Sequence, residues 1–147
     1  MPPDVAAGAD RTRDGDKPYD SAYTTPSFFS NLSFLITEVG NLQRIEIPED
    51  AIFRGIFKDQ VLVMLRSDWT IGDITYPQGA LLSIDFRSFM DGDRGFELVF
   101  EPSKEVFLAR GGVASTRDYL VLNLLDNVVS RMMRFERIDG KWVGKDI

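Results

Sequence analysis

Two absences limit the chemistry open to this chain. The 147-residue sequence contains no histidine and no cysteine. Without histidine there is no Ser-His-Asp or Cys-His machinery, because the usual proton acceptor near neutral pH is missing. Without cysteine there are no disulfides, zinc fingers, iron–sulfur clusters or thiolate nucleophiles. Any metal site would therefore have to be built from oxygen ligands.

One loop contains three acids, Asp91, Asp93 and Glu97, which are separated by even numbers of residues. Carboxylate oxygens in such an arrangement could hold Ca²⁺. However, Arg94 sits among them, and the two glycines of the loop suit an ordinary turn equally well. We favour a surface turn over a calcium site.

Two pairs of carboxylates are candidates for acid–base chemistry: Asp85 with Asp68, and Glu97 with Glu101. Residues four apart on a strand share one face, so Glu97 and Glu101 would point the same way. Like-charged acids are common on solvated strand faces. We therefore interpret both pairs as surface charge.

The basic and aromatic candidates are interpreted in the same way. Arg131, Arg134 and Arg137 recur every three residues, and on a strand they would alternate faces and form no single stripe. The net charge of −6 also disfavours binding to nucleic acid. Trp69 and Trp142 end strands, where large rings pack against a core or an edge; contact with substrate in a channel is the alternative for Trp69. The sequence predicts no catalytic, cofactor-binding or metal-binding residue and no cofactor.

The first part of the chain, 1–24, differs in composition from the rest. It mixes Pro, Gly, Ala and charge without a period of 2 or 3.6, so we predict an irregular tail or crossing segment. Its aspartates do not have EF-hand spacing and are interpreted as solvated charge: Asp10, Asp14, Asp16 and Asp20. Met1–Lys17 has no apolar core of a secretory signal, and no apolar run approaches the length of a membrane span. The compartment stays open, with the cytoplasm slightly favoured and no membrane partner expected.

From residue 28 onward the sequence is a succession of short apolar or alternating runs. The runs at 60–66 and 119–125 are almost wholly apolar, which predicts strands buried on both faces. Asp139-Gly140 between two runs predicts a tight hairpin, and 86–90 is the one plausible helical turn. A helix over 120–133 is disfavoured by the polar break that interrupts it. The predicted strands are 33–36, 41–47, 51–57, 60–66, 80–86, 96–101, 119–125, 128–137 and 141–143.

An internal repeat organises these strands. Residues 58–65 match 117–124 at an offset of 59, each with a basic residue, an aspartate and an apolar strand. A second element, with a polar position, a large apolar residue and an acid, recurs at 41–46, 80–85 and 131–136. Strands grouped in this way are typical of β-propeller blades, which need stacked neighbours on each face.

We predict an all-β fold of antiparallel four-stranded sheets arranged as consecutive β-propeller blades. A β-sandwich or barrel is the alternative, because its hairpins would also give such runs. The predicted organisation is a segment 1–24 followed by a partial propeller over 25–147. Within the propeller we place the end of one blade at 25–50 and further blades at 51–103 and 104–147, about two to two and a half blades in all.

Four pieces of the sequence carry a family resemblance: Val61–Trp69, Thr75–Phe86, Leu98–Pro102 and Thr116–Val128. In their order and spacing they resemble the N-terminal β-propeller domain of the prolyl oligopeptidase family of serine peptidases, in its bacterial branch. In that family a closed propeller caps an α/β-hydrolase domain and restricts the active site to peptides. The resemblance implies an oligopeptide substrate and a hydrolase-domain partner in a parent enzyme.

The chain departs from that family in having no Gly-x-Ser-x-Gly elbow and no histidine. No catalytic residue is therefore transferred from the family to this sequence. We expect a non-catalytic propeller portion that gates access of oligopeptides to a hydrolase domain outside the chain. The alternative is a stand-alone β-domain that binds a protein or forms a homo-oligomer through open blade edges, since unstacked blades expose apolar faces.

Overall fold

The computed structural model describes residues 6–27, 30–37 and 39–147. In this part of the chain there are three four-stranded antiparallel sheets, one separate two-stranded hairpin and one short helix. Within each four-stranded sheet, the strands lie side by side in the order in which they occur along the chain. The all-β prediction is confirmed.

The first sheet contains four strands in chain order: β1 (Ala6–Asp14), β2 (Lys17–Ser27), β3 (Ser30–Ile36) and β4 (Leu42–Ile45). The prediction that 1–24 is irregular is wrong for 6–24, which form β1 and most of β2. These strands pair from Ala6↔Thr25 to Asp14↔Lys17. Gly15 adopts a positive φ of 61° in the two-residue turn. The first sheet therefore runs across the predicted boundary at residue 24.

The second sheet follows the order β10-β9-β6-β5, and β7 and β8 form the separate hairpin. The strands are β5 (Ile52–Phe57), β6 (Gln60–Met64), β7 (Trp69–Ile71), β8 (Ile74–Tyr76), β9 (Leu81–Asp85) and β10 (Glu97–Phe100). Helix α1 (Phe86–Met90) begins directly after β9. It confirms the predicted helical turn.

The third sheet is again an up-and-down meander. Its strands are β11 (Val106–Ser115), β12 (Leu120–Asp126), β13 (Val129–Ile138) and β14 (Lys141–Asp146). Asp139 and Gly140 connect β13 to β14 with positive φ values of 48° and 74°, as a type I′ turn requires. This confirms the predicted hairpin. The region 120–133 is extended, in agreement with the rejection of a helix.

The three sheets stack face to face, with the second sheet in the middle. Alternation along β6 sends Val61 and Val63 into the core shared with the first sheet, and Leu62 into the core shared with the third. The prediction that 60–66 is buried on both faces is confirmed. In β12 only one face is buried, because no described sheet covers the other, so the same prediction for 119–125 is wrong.

The repeat has a structural basis. Residues 58–65 and 117–124 each contain the turn into, and most of, the second strand of a sheet. The second repeated element occupies the same position in its sheet in two of its three copies. Residues 80–85 and 131–136 lie in third strands, whereas 41–46 lies in a fourth strand. The described residues form three whole four-stranded sheets, rather than the predicted two to two and a half blades. None of the described helices is long and apolar enough to cross a membrane.

Candidate functional site

The first strands of the three sheets, β1, β5 and β11, lie along one groove. Two cavities of about 350 and 360 Å³ follow this groove. They share four lining residues: Thr12, Arg54, Gly55 and Val113. We call the two cavities together the inner groove, because the first strand of each four-stranded sheet borders it.

Bulges in two of these strands shape the inner groove. In β5 the pairing shifts between Phe53 and Ile56, so that Arg54 and Gly55 lie opposite the single residue Leu62. Gly55 has a φ of 95°, which a residue with a side chain rarely adopts. The extra residue breaks the alternation of the strand and re-aims the Arg54 side chain.

The bulge in β11 is larger. Its pairing shifts between Leu108 and Val113, opposite Asn123 of β12. A Cβ atom on Gly112 would lie 2.6 Å from the Asn123 carbonyl oxygen and 2.7 Å from the Ala109 carbonyl oxygen. Only glycine fits at this position, so the shape of the groove wall depends on it.

Arg54 has no anionic partner within the described part of the chain. Its Nη2 contacts the Met64 sulfur at 3.9 Å, a weak acceptor, and its Nε is buried without a hydrogen bond. No carboxylate there lies within 4.0 Å of its guanidinium. Burial lowers the pKa of Arg54, since a desolvated cation is disfavoured.

Two arginines with little exposed side-chain surface, Arg94 and Arg137, are engaged by oxygen acceptors. Arg94 donates to the carbonyl oxygens of Phe89 at 2.9 Å and Glu46 at 3.2 Å. Arg137 forms a bidentate pair with Glu97, with both N–O distances at 2.9 Å. Arg54 differs from these two arginines in having no oxygen acceptor within the described chain.

The turns at one end of the sheets are joined by polar contacts. The Asp14 carboxylate accepts hydrogen bonds from the Lys58 and Asp59 backbone N–H groups at 2.7 and 2.8 Å. Two exposed ion pairs extend these contacts: Lys58–Asp118 at 3.7 Å and Arg117–Asp16 at 3.1 Å. Exposed pairs of this kind contribute little energy each, so we assign them a positioning role.

The predicted acidic loop is a surface turn. Asp91 ends helix α1, and the Asp93 carboxylate accepts a hydrogen bond from the Gly95 backbone N–H at 3.0 Å. Glu97 is paired with Arg137 on the third sheet. Across 6–27, 30–37 and 39–147, no three acidic side chains are grouped closely enough to hold a metal ion.

The structure brings neither predicted carboxylate pair together as a site. Asp85 lies at the Gln60 end of the β6–β9 pair, whereas Asp68 follows the opposite end of β6. Hydrogen bonds from Ser88 lower the pKa of Asp85, which caps α1. Asp68 accepts a hydrogen bond from the Gln78 backbone N–H at 2.7 Å.

The second pair is separated by a change in the strand itself. The register of β10 shifts between Leu98 and Phe100, which removes the alternation that would have aligned Glu97 with Glu101. Hydrogen bonds from Arg137 lower the pKa of Glu97. This carboxylate therefore joins two sheets as an anion.

The arginines of β13 form no stripe, as predicted. Arg131 pairs with Asp146 at 2.7 Å, and Arg134 lies over the Tyr119 ring at 4.7 Å on the uncovered face. Arg137 reaches across to the second sheet. The three guanidinium groups have three separate environments.

Both tryptophans pack inside the fold. Trp142 lies between the second and third sheets, where its Nε1–H donates to the Ser83 hydroxyl at 2.7 Å and its ring stacks on Phe57. Trp69 packs on Phe96, with ring centroids 5.2 Å apart. The packing role is confirmed for both residues, and neither lines the inner groove.

The site that the structure does assemble was not predicted from the sequence. Arg54 stands in the apolar run 51–57, where it resembles any solvent-facing strand residue. The available signal was Gly55, because a glycine within a strand pattern indicates a bulge. Chemically, the groove offers two arginines, the exposed Arg13 and the half-buried Arg54, one aspartate, Asp10, and several hydroxyl groups.

Comparisons with known proteins give the chain its context. No family model matches it. It is 31% identical over 105 residues to an uncharacterized peptidase of Rickettsia prowazekii, covering 69% of this chain and 14% of that protein. It is 30% identical over 147 residues to an uncharacterized peptidase of Sinorhizobium fredii, covering 95% of this chain and 20% of that protein.

A solved structure matches almost the whole chain. The structure of a post-proline cleaving enzyme from Rickettsia typhi superposes with a TM-score of 0.81 at 21% identity, covering 96% of this chain and 21% of that one. This likeness confirms the predicted propeller-type sheets. The chain spans about a fifth or less of the length of each of these three proteins.

Proposed function

We propose that this chain is the non-catalytic propeller portion of a prolyl oligopeptidase-like serine peptidase. Its resemblance to the N-terminal β-propeller domain of that family is confirmed. The supporting observation is the superposition of 96% of the chain on part of a post-proline cleaving enzyme. The relatives named as peptidases make the chain a peptidase-related domain. The gating role, the substrate and the parent activity belong to the proposal.

In this proposal the role of the chain is steric. The second sheet is buried on both faces, which gives the inner groove a firmly packed wall. In a parent protein, further sheets would extend the stack and enclose the groove. A narrow enclosure admits flexible oligopeptides and excludes folded proteins, and its closure removes water from the partner active site.

Catalysis is assigned to a Ser-Asp-His set outside residues 1–147. The experiment compares the purified chain with the parent protein, each given a chromogenic prolyl peptide and a fluorescent serine-directed probe. We expect turnover and labelling for the parent, with the labelled serine outside 1–147, and neither for the chain. Probe-sensitive turnover by the chain, or a labelled serine within 1–147, would refute the assignment.

The uncovered face of the third sheet favours a second candidate function, in which the chain binds another copy of itself or another protein. Large apolar side chains are exposed on this face: Phe107 at 50%, Leu125 at 36%, Met132 at 48% and Val143 at 38%. A neighbouring blade in the parent would cover the same side chains. Substitution of Met132 by Lys separates the two candidates.

If the next blade covers this face, the lysine destabilises the parent, because burying an unpaired charge is costly. If a second copy covers it, the lysine leaves the fold intact and shifts sedimentation from dimer to monomer. Thermal unfolding and sedimentation velocity of the parent, with and without the substitution, distinguish these outcomes.

A further inference from the structure

One of the strands that border the inner groove has an edge open to pairing. β1 pairs with β2 on one side, and no described strand lies on its other side. The register of β1 with β2 is unbroken over nine residue pairs. An open strand edge presents backbone N–H and C=O groups that another extended segment can bind. Asp10 and Thr12 of β1 line the adjoining cavity, so this edge lies beside the groove.

The turn that joins β1 to β2 determines which backbone groups face the open edge. It contains only two residues, Gly15 and Asp16, so the flanking pair Asp14↔Lys17 is hydrogen-bonded. Hydrogen-bonded and non-hydrogen-bonded pairs alternate along an antiparallel ladder. The backbone N–H and C=O groups of every second residue therefore point away from β2, which applies to Ala7, Ala9, Arg11 and Arg13.

Two side-chain contacts agree with this alternation. The Arg11 backbone N–H donates to the Asp10 carboxylate at 2.8 Å, so β2 does not use it. The Ser21 hydroxyl of β2 donates to the Asp10 carbonyl oxygen at 3.5 Å, so that carbonyl faces β2. The edge groups of Ala9 and Arg13 have no hydrogen-bond partner within the described chain. These groups are available to an added strand.

The other strand edges are interrupted or short. Beside the groove, bulges break the ladders of β5 and β11, and bulges protect an edge from pairing. The outer-edge strands have four residues in β4 and β10 and six in β14. β1 has nine residues, which makes it the longest uninterrupted open edge of the described chain.

We propose that an extended peptide segment pairs with the open edge of β1 and becomes a fifth strand of the first sheet. Backbone hydrogen bonds supply the affinity and tolerate varied side chains, because every peptide offers the same backbone donors and acceptors. This pairing selects segments that are extended and unpaired, which a folded protein does not offer. The peptide as occupant rests on the proposed function, whereas the open edge rests on the β1 geometry alone.

The side chains around the edge carry charges of both signs. Asp10 lines the groove, and the half-buried Arg54 lies on the opposite wall. On the other face of β1, Arg11 pairs with Asp20 at 2.9 Å, whereas the exposed Arg13 has no anionic partner within the described chain. An uncharged probe therefore separates backbone pairing from attraction between charges.

The test follows the backbone amides of β1 by NMR in ¹⁵N-labelled chain, with solvent-exchange rates measured at each amide. The probe is the uncharged peptide N-acetyl-Thr-Val-Thr-Thr-Val-Thr amide. At about 90% saturation, exchange at Ala9 and Arg13 should slow about tenfold, because only the unoccupied tenth of the molecules exchanges. The slowing should be smaller at Thr12, whose N–H already bonds to β2. Equal slowing at all three residues, or no saturable response, overturns the proposal.

A matched peptide tests whether the backbone carries the binding. N-methyl groups on the two central threonines remove one donor from each edge of the peptide and leave its charge unchanged. We expect at least about tenfold weaker binding of the methylated peptide, since the ladder is interrupted whichever edge is used. Equal binding of the two peptides overturns strand pairing.

Variants of Ala9 connect the binding to this edge. Ala9→Pro removes an edge N–H and keeps the ladder bonds to β2, since proline is tolerated where the N–H side of a strand is open. It should abolish the response at Arg13, whereas Ala9→Val keeps the donor and should bind within about twofold of the unsubstituted chain. Unchanged binding by Ala9→Pro refutes the assignment to β1. If the proline unfolds the chain, the methylated peptide supplies the answer.

The same measurement on the parent distinguishes the possible occupants. Edge amides that become protected only when peptide is added support the peptide site. Edge amides that are already protected in the parent indicate another strand of the parent and overturn the peptide assignment. Protection that rises with the concentration of the chain alone indicates a second copy and overturns it as well. None of these outcomes depends on whether the parent cleaves peptides, so failure here is distinct from failure of the proposed function.

Discussion

Truncation of Leu122 to Ala tests the stacking of the second and third sheets. Leu122 is 0% exposed and belongs to the core between these sheets. Its loss removes side-chain area worth about 2.4 kcal/mol, at about 0.8 kcal/mol for each of three carbon groups. The cavity left behind raises the expected loss of unfolding free energy to about 3–4 kcal/mol.

Leu125→Ala is the matched control, because it lies on the same strand and points to the uncovered face. Leu125 is 36% exposed, so at most about two thirds of the transfer term is lost, roughly 1.5 kcal/mol. With no sheet opposite, no closed cavity forms. The two variants should differ by about 2 kcal/mol, or about thirtyfold in the unfolding equilibrium constant.

Urea unfolding followed by tryptophan fluorescence measures both values, because Trp142 lies between the two sheets and Trp69 reports on the second sheet. The slope of free energy against urea should stay constant in both variants, since the folded surface is unchanged. Equal losses at the two positions, or a larger loss at Leu125, would refute the face assignment of β12 and with it the stacking order.

Three further predictions concern contacts between and within the sheets. Hydrogen bonds from Arg137 lower the pKa of Glu97 in the folded state, so the ion pair stabilises the fold fully above the ordinary pKa of 4.5 and this stabilisation is lost as pH falls through the folded pKa. Glu97→Gln should therefore reduce the fall in the free energy of unfolding at acid pH. The exposed Glu101→Gln should leave that fall unchanged. Trp142→Phe removes the hydrogen bond to a buried serine and should cost about 1 kcal/mol in urea unfolding; no loss would contradict that bond. Gly112→Ala would place its Cβ within 2.7 Å of two carbonyl oxygens and should lower the free energy of unfolding by more than about 2 kcal/mol. Gly95→Ala, whose Cβ would lie 3.4 Å from its nearest neighbour, should change it by no more than about 1 kcal/mol.

Local chemistry explains which elements were predictable from the sequence. The run 60–66 is apolar at successive positions because both of its faces are buried, and this pattern is visible without a structure. Asp139-Gly140 and the helical turn at 86–90 also depend on a few adjacent residues. Each feature is encoded within a short stretch of chain.

The strands that were missed lack that local pattern. β1 and β2 carry few large apolar side chains, and backbone pairing holds them together. The two-residue turn Gly15-Asp16 was the available hairpin signal. β11 was missed because its glycine-rich bulge interrupts the alternation.

The candidate site was the least predictable feature. Whether Arg54 has a partner depends on which side chains three sheets bring to one groove, and no sequence spacing records that. The same holds for the Glu97–Arg137 pair, whose members are 40 residues apart on different sheets. Both depend on stacking, which the sequence indicates only through the repeat.

Size discrimination by the parent protein tests the central claim most directly. One prolyl peptide of about ten residues is offered free in solution, and the same segment is offered within a loop of a folded domain. Because an enclosed groove admits only flexible segments, kcat/KM should be at least about a hundredfold higher for the free peptide. A ratio near one, confirmed on a domain that stays folded during the assay, would contradict the gating role.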